Sequence, residues 1–305
     1  APRQWWKALL KACTDLGFVQ SLIDPCCMLL VRDGEVRCIL AMYVDDLICV
    51  GERSIMEKTM EQMDEKYPMG QIEKSWEQSM FSYVGQDVEF IRDKSGALSA
   101  IKMNQTAYVK AKFPQAIQEL EEALKTQKGT SQVLGSPAVA DAFRSGNGKL
   151  AWAGNTRPHN AYDISELASA ARTPTLGDCK KLLTCMKECL DSAGDCITLN
   201  RLDPLKLGVL GYGDASFNNR SDNRTQAGYA VILTEGPVVS KQSESDKIAN
   251  LVMSRSHTLT RVCVGTFDGE TIEAVETTDA TLLVAYLISE FKNGRLPSIA
   301  ERVLV

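Results

Sequence analysis

Several function classes lack their usual marks in this chain. Its 305 residues include only two histidines, His159 and His257, and the ten cysteines show no paired CxxC spacing. A zinc-finger type of cluster is therefore not expected. No apolar run approaches the roughly 20 residues that span a bilayer, and the opening Trp/Leu/Lys pattern has no signal-peptide layout. Neither a membrane partner nor secretion is expected, and the thiols read as reduced and intracellular, in cytoplasm or nucleus. A cationic excess is missing too: 34 Lys and Arg stand against 39 Asp and Glu, a net charge of -5. A polyanion partner would have to use local basic surfaces rather than the field of the whole chain. What remains, 44% hydrophobic and 24% charged residues, is ordinary for a globular protein of this length.

The most informative stretch runs over 36–51. Two short apolar runs, Ile39-Leu40-Ala41-Met42-Tyr43-Val44 and Leu47-Ile48-Cys49-Val50, meet at Asp45-Asp46 with no Gly, Asn or Pro between them. Each run has strand length, so the pattern predicts a hairpin with two carboxylates at its tip. Adjacent carboxylates repel unless a cation screens them, and a hard oxygen-seeking ion such as magnesium suits them. An ordinary solvated acidic turn has the same sequence pattern.

Along the chain, Pro2 is placed to open a helix whose apolar positions Trp5, Trp6, Leu9, Leu10, Cys13 and Leu16 share a face, with Gly17 at its end. A strand over 26–31 and a turn at Arg32-Asp33-Gly34-Glu35 lead into the acidic hairpin. Ser54 is expected to cap a helix reaching about residue 67, with Met56, Met60 and Met63 spaced for burial. Strands over 83–91 and 98–103 flank a turn at Asp93-Lys94-Ser95-Gly96. A helix over 106–125 follows, with Pro114 expected to kink or break it. The stretch 127–148 turns to Gly, Ser and Ala without a period and reads as a linker. Helices are expected over 161–171 and 178–193. Cys179, Cys185, Cys189 and Cys196 cluster in sequence, and Cys185 and Cys189, four apart in the second helix, read as small packing residues. An apolar strand then delivers Asp214. Farther on, Gly265-Thr266-Phe267-Asp268-Gly269-Glu270 opens an amphipathic helix, where acids suit the macrodipole.

Tyr43-Val44-Asp45-Asp46 resembles the signature of reverse transcriptases. Ala1-Pro2-Arg3-Gln4-Trp5-Trp6, Leu16-Gly17-Phe18 and Ile23-Asp24-Pro25-Cys26 resemble, in the same order, the segment that leads into it in Ty1/copia-type retrotransposon Pol polyproteins. Gly148 through Pro158 is similar to that family's stretch ending in Thr-Arg-Pro-Asp, with His159 where the Asp is expected. Leu207 through Phe217 and Thr225 through Leu233 look like the opening of its ribonuclease H domain.

The resemblance implies an α+β chain. It comprises part of a polymerase palm and the start of a thumb over 1–126, a linker over 127–148, a helical connection over 149–204, and an incomplete ribonuclease H-like domain over 205–305. It implies catalytic, metal-holding roles for Asp45, Asp46, Asp214 and Glu270, with Asp268 a poorer match than Glu270. Nucleic-acid contacts would come from Tyr43, Lys102, Lys110 and Lys112, where solvated lysines are also ordinary. Mg2+ or Mn2+ would be the cofactor and an RNA/DNA template-primer the partner, inside a virus-like particle for the parent element. One polymerase carboxylate and one ribonuclease H carboxylate of the family have no match here. The resemblance therefore implies a piece of the enzyme that is inactive alone, or else a retrotransposon-derived binding subunit whose exposed strand edges other proteins cover.

Overall fold

Pro2 lacks the N–H that a first helical turn leaves unpaired, and α1 (Pro2–Asp15) begins on it; Gly17, at φ +90°, takes the chain out of the helix. The structure is a computed structural model that describes residues 2–125, 136–220, 223–236 and 248–294. After a short β1 (Val19–Gln20), β2 (Cys27–Arg32) and β3 (Glu35–Tyr43) form a hairpin with Asp33 and Gly34 at positive φ, the backbone a two-residue turn of this hand requires. With β4 (Asp46–Gly51) they make an antiparallel sheet ordered β1-β2-β3-β4. The face carrying Met28, Leu30, Cys38 and Leu40 is buried under α1 and α2 (Arg53–Lys66). Ser54 does not cap α2: the N-cap is Glu52, without a side-chain cap bond. Of the three methionines Met63 is fully buried, while Met56 and Met60 lie at the margin.

A second antiparallel sheet is ordered β5 (Met80–Tyr83), β6 (Gln86–Arg92), β7 (Leu98–Asn104) and β8 (Cys196–Asn200). The strand expected over 83–91 is thus cut by a tight turn, with Val84 and Gly85 both at positive φ. From β7 the chain enters α3 (Thr106–Lys125), which continues through Pro114 rather than ending there. Val109, Phe113, Ala116, Ile117 and Leu120 bury its inner face, and that packing outweighs the hydrogen bond the proline removes.

The linker reading fails for 137–148, because α4 (Pro137–Ala153) occupies them; residues 127–135 lie outside the described residues. Val139, Phe143 and Leu150 from α4 share one core with α3 and with α6 (Leu176–Asp191), and α5 (Ala161–Ala170) adds Leu167. That core joins the stretches assigned to 1–126 and 149–204, so no core boundary falls at either limit. Nor is 149–204 wholly helical, since β8 returns to pair with β7. Arg157, fully buried, makes this junction: Nη2 donates to the Ala193 carbonyl at 2.9 Å, just past the end of α6, and Nη1 donates to Thr156 Oγ1. The exposed His159 Nε2 lies 3.8 Å from Asp195 Oδ2.

The third sheet has the order β11 (Ala249–Thr258), β10 (Gln226–Glu235), β9 (Leu207–Ser216), antiparallel throughout. One face lies under the long helix α7 (Thr266–Asn293) and the other toward α5. Gly211 and Gly213 permit this: a Cβ on either would come within 2.0 Å of Thr281 or Thr277 of α7. The far end of α7 reaches the first sheet. There the buried Glu290 accepts hydrogen bonds from Ser21 Oγ at 2.5 Å and Leu22 N at 2.9 Å. The whole is a mixed α+β arrangement of antiparallel sheets and helices, and among the described residues no helix is long and apolar enough to cross a membrane.

Candidate functional site

The turn of the acidic hairpin is centred one residue earlier than its sequence suggests. Tyr43 pairs with Asp46, which leaves Val44 and Asp45 as the two turn residues. Val44 has φ +54°, a left-handed conformation that is a true outlier for a β-branched side chain. The strain is held from below: Trp5 Nε1 donates a 2.9 Å hydrogen bond to the Val44 carbonyl, and the Trp5 ring meets Tyr67 edge-on at 5.3 Å. Tyr43, Val44, Asp45 and Asp46 are all exposed. Two exposed carboxylates on consecutive residues give an oxygen-only donor set, the chemistry a magnesium-like ion uses.

A second hairpin tip lies beside the first. Tyr83, at the β5–β6 turn, is half-buried; burial first, and then the negative field of Asp46, push its phenol above the ordinary value. Gly85 in the same turn sits on the indole of Trp152, at 3.4 Å from where a Cβ would stand. Asp46 is thus close enough to this second turn for its charge to act on the Tyr83 phenol. The lysines do not converge there as a set. Lys102 lies in β7 between Glu89 of β6 and Thr198 of β8. Lys110 and Lys112 are exposed on α3, but two residues apart on a helix they point in nearly opposite directions.

Asp214 and Glu270 are carried by different elements, β9 and α7. The pleat of β9 turns Gly213 toward α7 and therefore turns the exposed Asp214 the other way, into a surface hollow it shares with His159, Tyr162 and Tyr212. Glu270 lies on α7, half-buried, and Asp268 is committed to the helix start, where its Oδ2 accepts from Val264 N at 2.8 Å. The side chain of Asp214 thus turns away from α7, the helix that carries Glu270.

Between α7 and β11 the structure assembles groups that sequence reasoning passed over. His257 is paired with Ala227 and lies on the α7 face; its Nε2 is 3.0 Å from Glu276 Oε2 and 3.7 Å from Glu273 Oε2. Glu273 is fully buried, and neither of its oxygens has a hydrogen-bond partner. Burial, reinforced by Glu276 and Glu270 and opposed by Arg255, pushes its carboxyl up to about 7. The His257 imidazole is held below its ordinary value, chiefly by burial. The signal in the sequence was the spacing Glu270, Glu273, Glu276, which repeats every three residues on one helix and stacks acids along one side.

Comparison with family models, curated proteins and solved structures finds no match for this chain.

Proposed function

We propose that the chain is part of a Ty1/copia-type RNA-directed DNA polymerase with ribonuclease H, in which Asp45 and Asp46 hold divalent metal ions for nucleotidyl transfer. The observation that carries this reading is the acidic hairpin tip: two exposed carboxylates beside a valine held at φ +54°, at the end of an antiparallel sheet backed by helices. Backbone strain at a non-glycine residue persists where the surroundings enforce it, and such places cluster at functional sites. The donor set fits a hard cation. Bound there, Mg2+ or Mn2+ would activate a primer hydroxyl and neutralise charge on the departing pyrophosphate. The protein's own part is to hold the two carboxylates at a fixed, solvent-facing point through Trp5, and to place Tyr43 and the Tyr83 turn around it.

These residues supply two of the three polymerase carboxylates that the resemblance calls for, so the chain alone is expected to be silent. A second reading, a retrotransposon-derived binding subunit without catalysis, is favoured by one observation: the exposed Asp214 turns away from α7, the helix that carries Glu270. Primer extension on an RNA template tests both. The chain alone gives no product, whereas a longer polypeptide that adds the third carboxylate to it extends the primer and loses that activity on Asp46→Asn. Robust synthesis by the chain alone, abolished by Asp46→Asn, would overturn its silence. No synthesis by the longer polypeptide would favour the binding subunit.

A further inference from the structure

We propose that His257, Glu273 and Glu276 form a binding site for a divalent transition ion of the zinc class, distinct from the acidic hairpin and independent of the polymerase reading. The three ligand atoms lie within 4.8 Å of one another, the one such group of three found among the described residues. An ion with bonds of about 2.0–2.1 Å in tetrahedral array sets its ligands about 3.4 Å apart. The imidazole Nε2 stands 3.0 and 3.7 Å from the two glutamate oxygens, on either side of that spacing.

The second observation is Glu273 itself. It is 0% exposed, it is pressed between the backbone of Gly213 and the β11 side chains, and both its oxygens lack partners. A buried carboxylate without a donor is costly and is relieved either by a proton or by a counter-charge held against it. The imidazole Nε2, at 3.7 Å, is too far from it for a hydrogen bond. Arg255 reaches only Glu276, at 3.8 Å, from a largely exposed side chain. A dipositive ion would balance the two carboxylates, satisfy Glu273 and use the imidazole nitrogen, which favours zinc over magnesium, calcium or manganese. Glu276, whose side chain is 38% exposed, leaves the cluster open to solvent on that side. Cysteine and histidine spacing gave no hint of such a site, because two of its ligands are carboxylates.

The chain holds two histidines, so zinc titration of the full chain carrying nitrogen-labelled histidine reads the site directly. One equivalent of zinc moves the His257 ring nitrogens and leaves those of His159 in place. Glu273→Gln keeps the shape, removes the buried anion and folds without metal; it weakens zinc binding by about 100-fold or more, since even outer partners of a metal ligand are worth about 10–100-fold. Glu276→Gln does the same from the exposed side, and the doubly substituted Asp45→Asn, Asp46→Asn chain still responds at His257. The proposal is overturned if His257 does not move under excess zinc, or if it moves with equal affinity in the Glu273→Gln chain.

Discussion

The indole nitrogen of Trp5 donates to the carbonyl of Val44, 39 residues away, at 2.9 Å. One bond therefore ties the first helix to the apex of the acidic hairpin, and the apex residue is the one whose backbone is strained. Trp5→Phe keeps the ring against Tyr67 and deletes the donor. It is expected to cost about 1 kcal/mol in chemical denaturation and to speed amide exchange at 43–46 more than elsewhere.

Val44→Gly tests the strain from the other side. Glycine adopts φ +54° without penalty, so relief of about 1 kcal/mol is expected, less what the more flexible unfolded chain takes back. A net loss of more than 1 kcal/mol by denaturant titration would mean that the valine side chain, rather than the turn geometry, holds the tip.

Arg157 closes the helical core by satisfying carbonyls at the end of α6. Arg157→Met leaves those carbonyls buried without donors and is expected to destabilise by about 2–3 kcal/mol, visible as a lower denaturation midpoint. The exposed His159, replaced by Asp, is expected to change stability by less than about 0.5 kcal/mol.

The thiols give a pH prediction. Burial pushes Cys13, Cys179 and Cys185 up to about 11, above an ordinary value of 9.0. Because the folded value is the higher one, the neutral thiols' contribution is complete below pH 9 and fades as the pH rises through about 11. Denaturation midpoints should therefore fall across that window. Near pH 8 an alkylating reagent should mark the exposed Cys26 and Cys196 while those three stay protected until the chain unfolds.

Glu290 couples the two ends of the molecule. Glu290→Gln keeps one acceptor for Ser21 or Leu22 and loses the charge, so about 1–2 kcal/mol is expected in denaturation, together with faster exchange at the C-terminal end of α7.

Much of this architecture was legible from residue patterns, and the failures have physical causes. The α1 face, the Asp33-Gly34 turn and the limits of α3 follow from apolar period and turn chemistry, which act locally. The apex at Val44 was not legible, because propensity argues against a valine at positive φ and only the tertiary bond from Trp5 explains it. Helix α4 was hidden by its glycine and serine content. Gly146 serves close packing there, since a Cβ would meet Leu182 at 3.2 Å, and that need arises from a helix some 40 residues away. The Val84-Gly85 turn was lost inside what looked like one strand. Of the residues expected to act in catalysis, Asp45 and Asp46 share an exposed tip, whereas Asp214 is turned away from α7, the helix of Glu270, by a pleat whose phase the sequence leaves open. The acidic half of the His257 cluster was legible in the Glu270, Glu273, Glu276 spacing, but a lone histidine in an alternating strand gives no hint of which helix will cover it.

The central claim, that the hairpin tip is a metal-holding site, is tested most directly by manganese-induced broadening of backbone amide resonances in the chain bound to an RNA/DNA template-primer. Broadening centred on residues 43–47, and lost when Asp45 and Asp46 are both replaced by asparagine, is the predicted result. Unbroadened amides at the tip, or broadening there that survives the double replacement, would contradict it.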